Sequence, residues 1–189
     1  MTFSSSVKAV IGALLIVSAL LLAGCSTTVM PKDVPPIKGL EIGSLAGASL
    51  GIKNAETDST EYEIQASVEQ GGPGFVTNRQ VWSRKLVEAL AGELSRRGAQ
   101  VRVNAPMTFG IAVPEITHSE DRGVLQFKVK VSVSSSTGWS RTYDVTAGSD
   151  PGPFELLDAT ANRVSGLALA EAVKAILGDD NFLAQLRKK

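Results

Sequence analysis

The chain has 189 residues, no formal net charge, 43% hydrophobic residues, one cysteine and one histidine. Without a basic excess, nucleic acid is not indicated as a partner, and a single cysteine excludes an intrachain disulfide framework or a thiol-rich metal site. The length suits one domain with a sizeable core.

Residues 1–24 hold one charged side chain, Lys8, ahead of an apolar run over 9–22 broken only by Ser18 and Gly12. A basic start, an apolar centre and small residues at the end describe a secretory signal. The run is short for a membrane-spanning helix, which needs about 20 apolar residues. It ends in Leu22-Ala23-Gly24-Cys25. That ending resembles the bacterial lipobox, and the resemblance implies cleavage between Gly24 and Cys25. It further implies a diacylglyceryl group on the Cys25 thiol and a palmitate-type chain on the new amino terminus. Several chains hold a protein stably where one holds it marginally. Ser26 follows the cysteine, and by resemblance to the lipoprotein sorting rule the expected location is the outer membrane, facing the periplasm. Residues 26–38 contain Pro31, Pro35 and Pro36. They predict a tether, either extended and reaching up to roughly 40 Å at about 3.1 Å per residue or disordered without fixed reach. The expected organisation is a signal peptide over 1–24, a lipidated cysteine and tether over 25–39, and one domain over 40–189.

Gly43, Gly47 and Gly51 repeat every four residues, the spacing of a membrane helix-packing motif. Glu41 and the shortness of the run argue instead for a first strand over 48–54. Tyr62, Ile64, Ala66 and Val68 alternate with polar residues that include Glu61, Glu63 and Glu69. This predicts a strand with one wet face, an edge strand guarded by its carboxylates. The alternation accounts for the three glutamates without a metal.

Residues 77–97 give the clearest helix. Trp82, Leu86, Leu90 and Leu94 form its stripe, Thr77 and Gln80 fit a capping box, and Gly98 fits the C-terminal cap. Strands are expected over 99–104, 107–117, 124–134 and 139–147, the last three as an antiparallel meander. Pro114 marks an edge or a bulge. Residues 118–123 read as a polar turn. From about Leu156 the period becomes helical to Gly178, and Asp179 or Asp180 caps a short last helix before Arg187-Lys188-Lys189.

Strands with two long one-faced helices predict an α+β fold: a two-layer sandwich, mainly antiparallel, with both helices on one face. At this point the chain resembles the YajG family of bacterial lipoproteins. The resemblance rests on the lipobox, on Glu93-Leu94-Ser95-Arg96-Arg97-Gly98 closing the long helix, on the strands through Tyr143-Asp144-Val145, and on the terminal helices over 158–186. That family has no known catalytic residues, so the resemblance carries none to this chain. A looser resemblance in layout is to helper lipoproteins of envelope transport, including lipopolysaccharide assembly.

His118 lies beside Ser119, Glu120 and Asp121. Adjacency in a turn is not triad geometry, and the expectation is a solvent-exposed histidine. No GxSxG, Walker or dinucleotide loop occurs. The sequence therefore predicts a non-enzymatic, lipid-anchored envelope protein, using no cofactor or metal, that binds another envelope component. The alternative is an accessory lipoprotein of lipid or lipopolysaccharide transport.

Overall fold

The computed structural model describes residues 26–66, 74–152 and 155–187. The elements run β1 (Thr27–Thr28), β2 (Ser49–Asn54), β3 (Glu61–Ala66), β4 (Phe75–Asn78), α1 (Arg79–Arg96), β5 (Gln100–Val101), β6 (Thr108–Asp121), β7 (Val124–Ser135), β8 (Ser140–Ser149), α2 (Leu157–Leu177) and α3 (Asp180–Leu186). The α+β class holds, and β6, β7 and β8 form the expected meander.

The sheet is mixed, not mainly antiparallel. The pairs β1–β4, β2–β5, β2–β6 and β3–β6 are parallel. The reason lies in β6, which is long enough to carry two partners on one edge. Gly51–Asn54 of β2 pair with its first residues, and Gln65–Ala66 of β3 with Thr117–His118 near its end. The edge therefore forks. Between the branches the register with β7 shifts across Ala112/Glu115, where Pro114 lacks a ladder donor. The start of α1 fills the gap: Ser83 Oγ accepts from Val113 N at 2.8 Å, and Arg79 donates to Pro114 O at 3.0 Å. β3 has neighbours on both sides, so the edge-strand expectation is corrected.

Alternation decides which face is inside. Leu125, Phe127, Val129, Val131 and Val133 of β7 are buried, while Gln126, Lys128, Lys130, Ser132 and Ser134 stay wholly or partly open to solvent. Both long helices pack on the buried face, α1 against β6 and β2, α2 against β7 and β8. Ala161, Ala168 and Ala172 are fully buried, so α2 approaches its neighbours closely. The opposite face carries hydroxyls and ion pairs such as Lys130–Glu115.

Three local expectations change. The cap of α1 is Asn78, whose side chain accepts from Val81 N; Thr77 belongs to β4. Thr77 is buried, and its hydroxyl accepts from Trp82 Nε1 at 2.7 Å and donates to Val29 O at 2.5 Å. The strand expected over 99–104 shrinks to two residues, with Val103 94% exposed. The polar turn over 118–123 is mostly strand: β6 continues to Asp121 and only Arg122 and Gly123 turn, both at positive φ.

The proline-rich segment is no spacer. Val29 is fully buried in the core, and Thr27 N and Val29 N donate to Gly74 O and Val76 O at 2.9 and 2.8 Å. Pro31 is buried, and Val34, Ile37 and Leu40 are half-buried, as is Pro35, while the other residues of this stretch are exposed. That period of three matches the three residues per turn of a polyproline II helix. The segment forms a strap across α1 and α2, since Met30 N donates to Asn162 Oδ1 and residues 32–35 with Ile37 line a cleft with Lys85, Glu88, Ala89 and Arg96. At Gly166 of α2, a Cβ would overlap the carbonyl oxygen of Asp33. Gly166→Ala is expected to lift the strap while the helix persists, and tryptic cleavage at Lys32 and Lys38 should rise several-fold. Unchanged cleavage would show that the close approach does not hold the strap.

Candidate functional site

Gly24 and Cys25 lie outside the described residues, as do Glu69, Lys188 and Lys189. The other residues singled out by sequence can be placed. Glu61 and Glu63 are exposed on the same face of β3. Among the described residues no three His, Cys, Asp or Glu side chains form a group suited to a metal ion. The glycine series forms no helix: Gly47 sits in a turn at φ +90° and Gly51 in β2.

His118 is buried at 4% exposure, correcting the exposed-turn expectation. Its ring meets Phe75 edge-on at 4.9 Å and lies 6.5 Å from Phe127. The long continuation of β6 explains this. Alternation turns His118 into the core, and Ser119 to the other face, so no serine–histidine dyad forms between these neighbours. Glu120 and Asp121 are exposed. The sequence signal was present in the period of Ile116 and His118, but the run of polar letters around it reads as a turn.

Burial lowers the His118 pKa below its ordinary 6.5, against hydrogen bonds with the Gln65 and Ile64 backbone and the charges of Glu120 and Glu63. The unfolded chain therefore takes up the proton more readily than the folded one. His118 costs no stability above about pH 6.5 and increasingly destabilises the fold as pH falls below it. The wild-type melting temperature should drop more between about pH 7.5 and 5.5 than that of His118→Phe; equal drops would refute this coupling.

Two polar networks are structural. Asp179 caps α3, accepting from Asn181 N at 2.9 Å, and also receives Tyr143 Oη at 2.8 Å and Arg141 Nε at 3.2 Å. Burial opposes the Asp179 charge, but these donors outweigh it and its pKa falls; the Tyr143 pKa rises by burial and by the same bond. Glu155 binds Arg163 through both carboxylate oxygens, at 3.1 and 2.8 Å, and accepts from Gly152 N at 2.8 Å. Arg163 and the Gly152 amide lower its pKa to about 2. Arg163 also donates to Ser149 Oγ and Asp150 O, so its guanidinium is committed to the fold.

Beside that network lies an open groove with a largely apolar lining. It holds about 620 Å³ between Lys32, Asp33 and Pro35 of the strap and Asp158, Ala159, Asn162, Arg163 and Leu167 of α2. Leu156 and Leu157, exposed at 71% and 40%, precede its wall. A second concavity of about 510 Å³ lies at the other end of the molecule, along residues 44–49 with Pro106, Leu186 and Arg187. The space between sheet and helices is filled by fully buried side chains including Trp82, Phe127 and Leu169. The grooves offer surface for a segment of another molecule and bring together no nucleophile, base and oxyanion donor.

No family model matches the sequence, and no curated protein does. Among solved structures, the chain is similar to a Xanthomonas campestris protein of the DUF330 family, at 12% identity over 82% of this chain and 93% of that one, with a TM-score of 0.48. It is also similar to a candidate lipoprotein from Caulobacter crescentus, at 16% identity over 55% of this chain and 84% of that one, with a TM-score of 0.34. Among the described residues no helix is long and apolar enough to cross a membrane.

Proposed function

We propose that this chain is a lipid-anchored, non-enzymatic protein of the bacterial cell envelope, held at the outer membrane through Cys25 and binding another envelope component. The observation that carries the reading is Leu22-Ala23-Gly24-Cys25 at the end of an apolar run, immediately before the residues that enter the fold. The resemblance to YajG lipoproteins belongs to the same reading. The second reading, an accessory lipoprotein of lipid or lipopolysaccharide transport, draws on the groove between the strap and α2, whose lining includes Pro35, Ala159 and Leu167. That groove is open, so such a role consists in docking to a transport component, not in enclosing a lipid.

Lipidation is tested by growing cells on an alkyne-bearing palmitate analogue. Wild-type protein should take up the label and stay with the outer-membrane fraction, and Cys25→Ser should do neither. Equal labelling of the two chains refutes the anchor. Binding is tested with photocrosslinking residues placed at Ala159 and Leu157 in intact cells. A discrete adduct with an envelope protein is expected; a clean monomer in every growth condition counts against a binding role, and an adduct with a transport component selects the second reading.

A further inference from the structure

We infer that the end of the sheet where β1 enters is the surface this protein lays against the bilayer that carries its own acyl chains, and that the opposite end faces away. The inference rests on Cys25 being the lipidated residue, as proposed above.

The argument is one of reach. β1 runs parallel to β4 in fixed register, Thr27 beside Phe75 and Thr28 beside Val76. The Thr27 amide is bonded to Gly74 O, and Val29 is in the core with its carbonyl held by Thr77. The chain is thus fixed from Thr27 onward. Two peptide units separate Thr27 from Cys25, so their Cα atoms lie within about 7 Å whatever the conformation between them. A tether along residues 26–38 would have let the domain tumble at a distance. Docked as a strap, that segment supplies no slack.

Strand register then shows what else lies at that end. Ile64 pairs with Phe75, Ala66 with His118, and β6 leads through Glu120 and Asp121 into the Arg122–Gly123 turn. Ser149 pairs with Leu125 there as well. The 12 residues of β7, at about 3.4 Å each, place the turn over 136–139 roughly 40 Å away. Val103 and Arg187 also belong to the far end. Among the described residues the near end carries Glu63, Glu120 and Asp121 with Arg122, and the Arg163–Glu155 pair beside Ser149, so basic side chains do not dominate it. The anchor supplies the adhesion and the short link supplies the orientation.

The test uses lipidated protein purified from cells, placed in nanodiscs of phosphatidylethanolamine and phosphatidylglycerol doped with a gadolinium-chelating lipid headgroup. Amide relaxation is read along the whole chain. Gly74, Arg122 and Gly123 should relax several-fold faster than Gly138 and Val103. Comparable enhancement at both ends, or stronger enhancement at Gly138, overturns the inference. A chain with ten Gly/Ser residues inserted between Cys25 and Ser26 should lose the contrast; if it keeps it, the short link is not what orients the domain. The intact mass separates the two ideas. Protein lacking acyl mass refutes the anchor itself, whereas acylated protein without contrast refutes only the orientation.

Discussion

Trp82→Ala should lower the unfolding free energy by about 3–5 kcal/mol, the usual loss for a large aromatic truncated in a packed core. That is a large share of the 5–15 kcal/mol typical of a domain. Trp82 is fully buried, and its ring meets Phe127 edge-on at 5.7 Å; Phe75 meets the same phenylalanine from β4 at 5.7 Å. One side chain therefore joins α1 to β7. It also reaches the strap, because the indole N–H bonds the Thr77 hydroxyl that holds Val29 O. Trp82→Phe keeps most of the apolar contact and removes the donor, so about 1–2 kcal/mol is expected. Its distinguishing effect is faster exchange of the Thr27 and Val29 amides. Urea unfolding measures the first quantity and native-state exchange the second. A Trp82→Ala loss below about 1 kcal/mol would contradict the packing described.

Arg97→Ala should be the most damaging change at the surface of the helices, costing about 2–4 kcal/mol. Arg97 closes α1 and donates to Leu40 O at 2.9 Å, Ile42 O at 3.0 Å and Glu93 Oε1 at 2.9 Å. Its own carbonyl accepts from Leu45 N at 2.9 Å. The Glu93 side chain is 5% exposed, so losing Arg97 leaves a buried carboxylate with Arg96 alone, which is itself 62% exposed. Arg97→Lys keeps the charge but lacks the planar fork that serves three acceptors, and it should recover less than half of the loss. Chemical denaturation of Arg97→Ala, Arg97→Lys and Glu93→Gln gives the comparison. If Arg97→Ala stays within about 0.5 kcal/mol of wild type, these bonds are ornamental to stability.

Much of this architecture is legible in the residues. Leu125 through Val133 alternate without interruption, and β7 follows. The stripe from Trp82 to Leu94 gives α1, and Gly98 with φ +91° ends it. What sequence patterns miss is decided by partners far along the chain. Nothing local to Ser49–Asn54 or Glu61–Ala66 says that both strands share one edge of β6, since parallel pairing carries no hairpin signal. Thr77 and Asn78 are both good caps, and the choice falls to Asn78 because Thr77 is needed between Trp82 and Val29. His118 is hidden by composition: its neighbours are polar because they face water on the other side of the strand. The strap is hidden most fully. Its prolines suit a free linker equally well, and the residue that admits it, Gly166, reads only as a small position within an alanine-rich helix.

The strap also bears on the order of events as the chain is made. Met30 is held by Asn162, 132 residues further along, so contacts of this separation close late and slowly. A polypeptide delivered amino end first presents residues 26–40 long before the surfaces of α1 and α2 exist to receive them. Through that interval the segment lacks the partners that later hold it. The contacts of residues 27–30 are then among the last to close, and on the proposed reading of Cys25 as the lipidated residue its modification precedes completion of the fold.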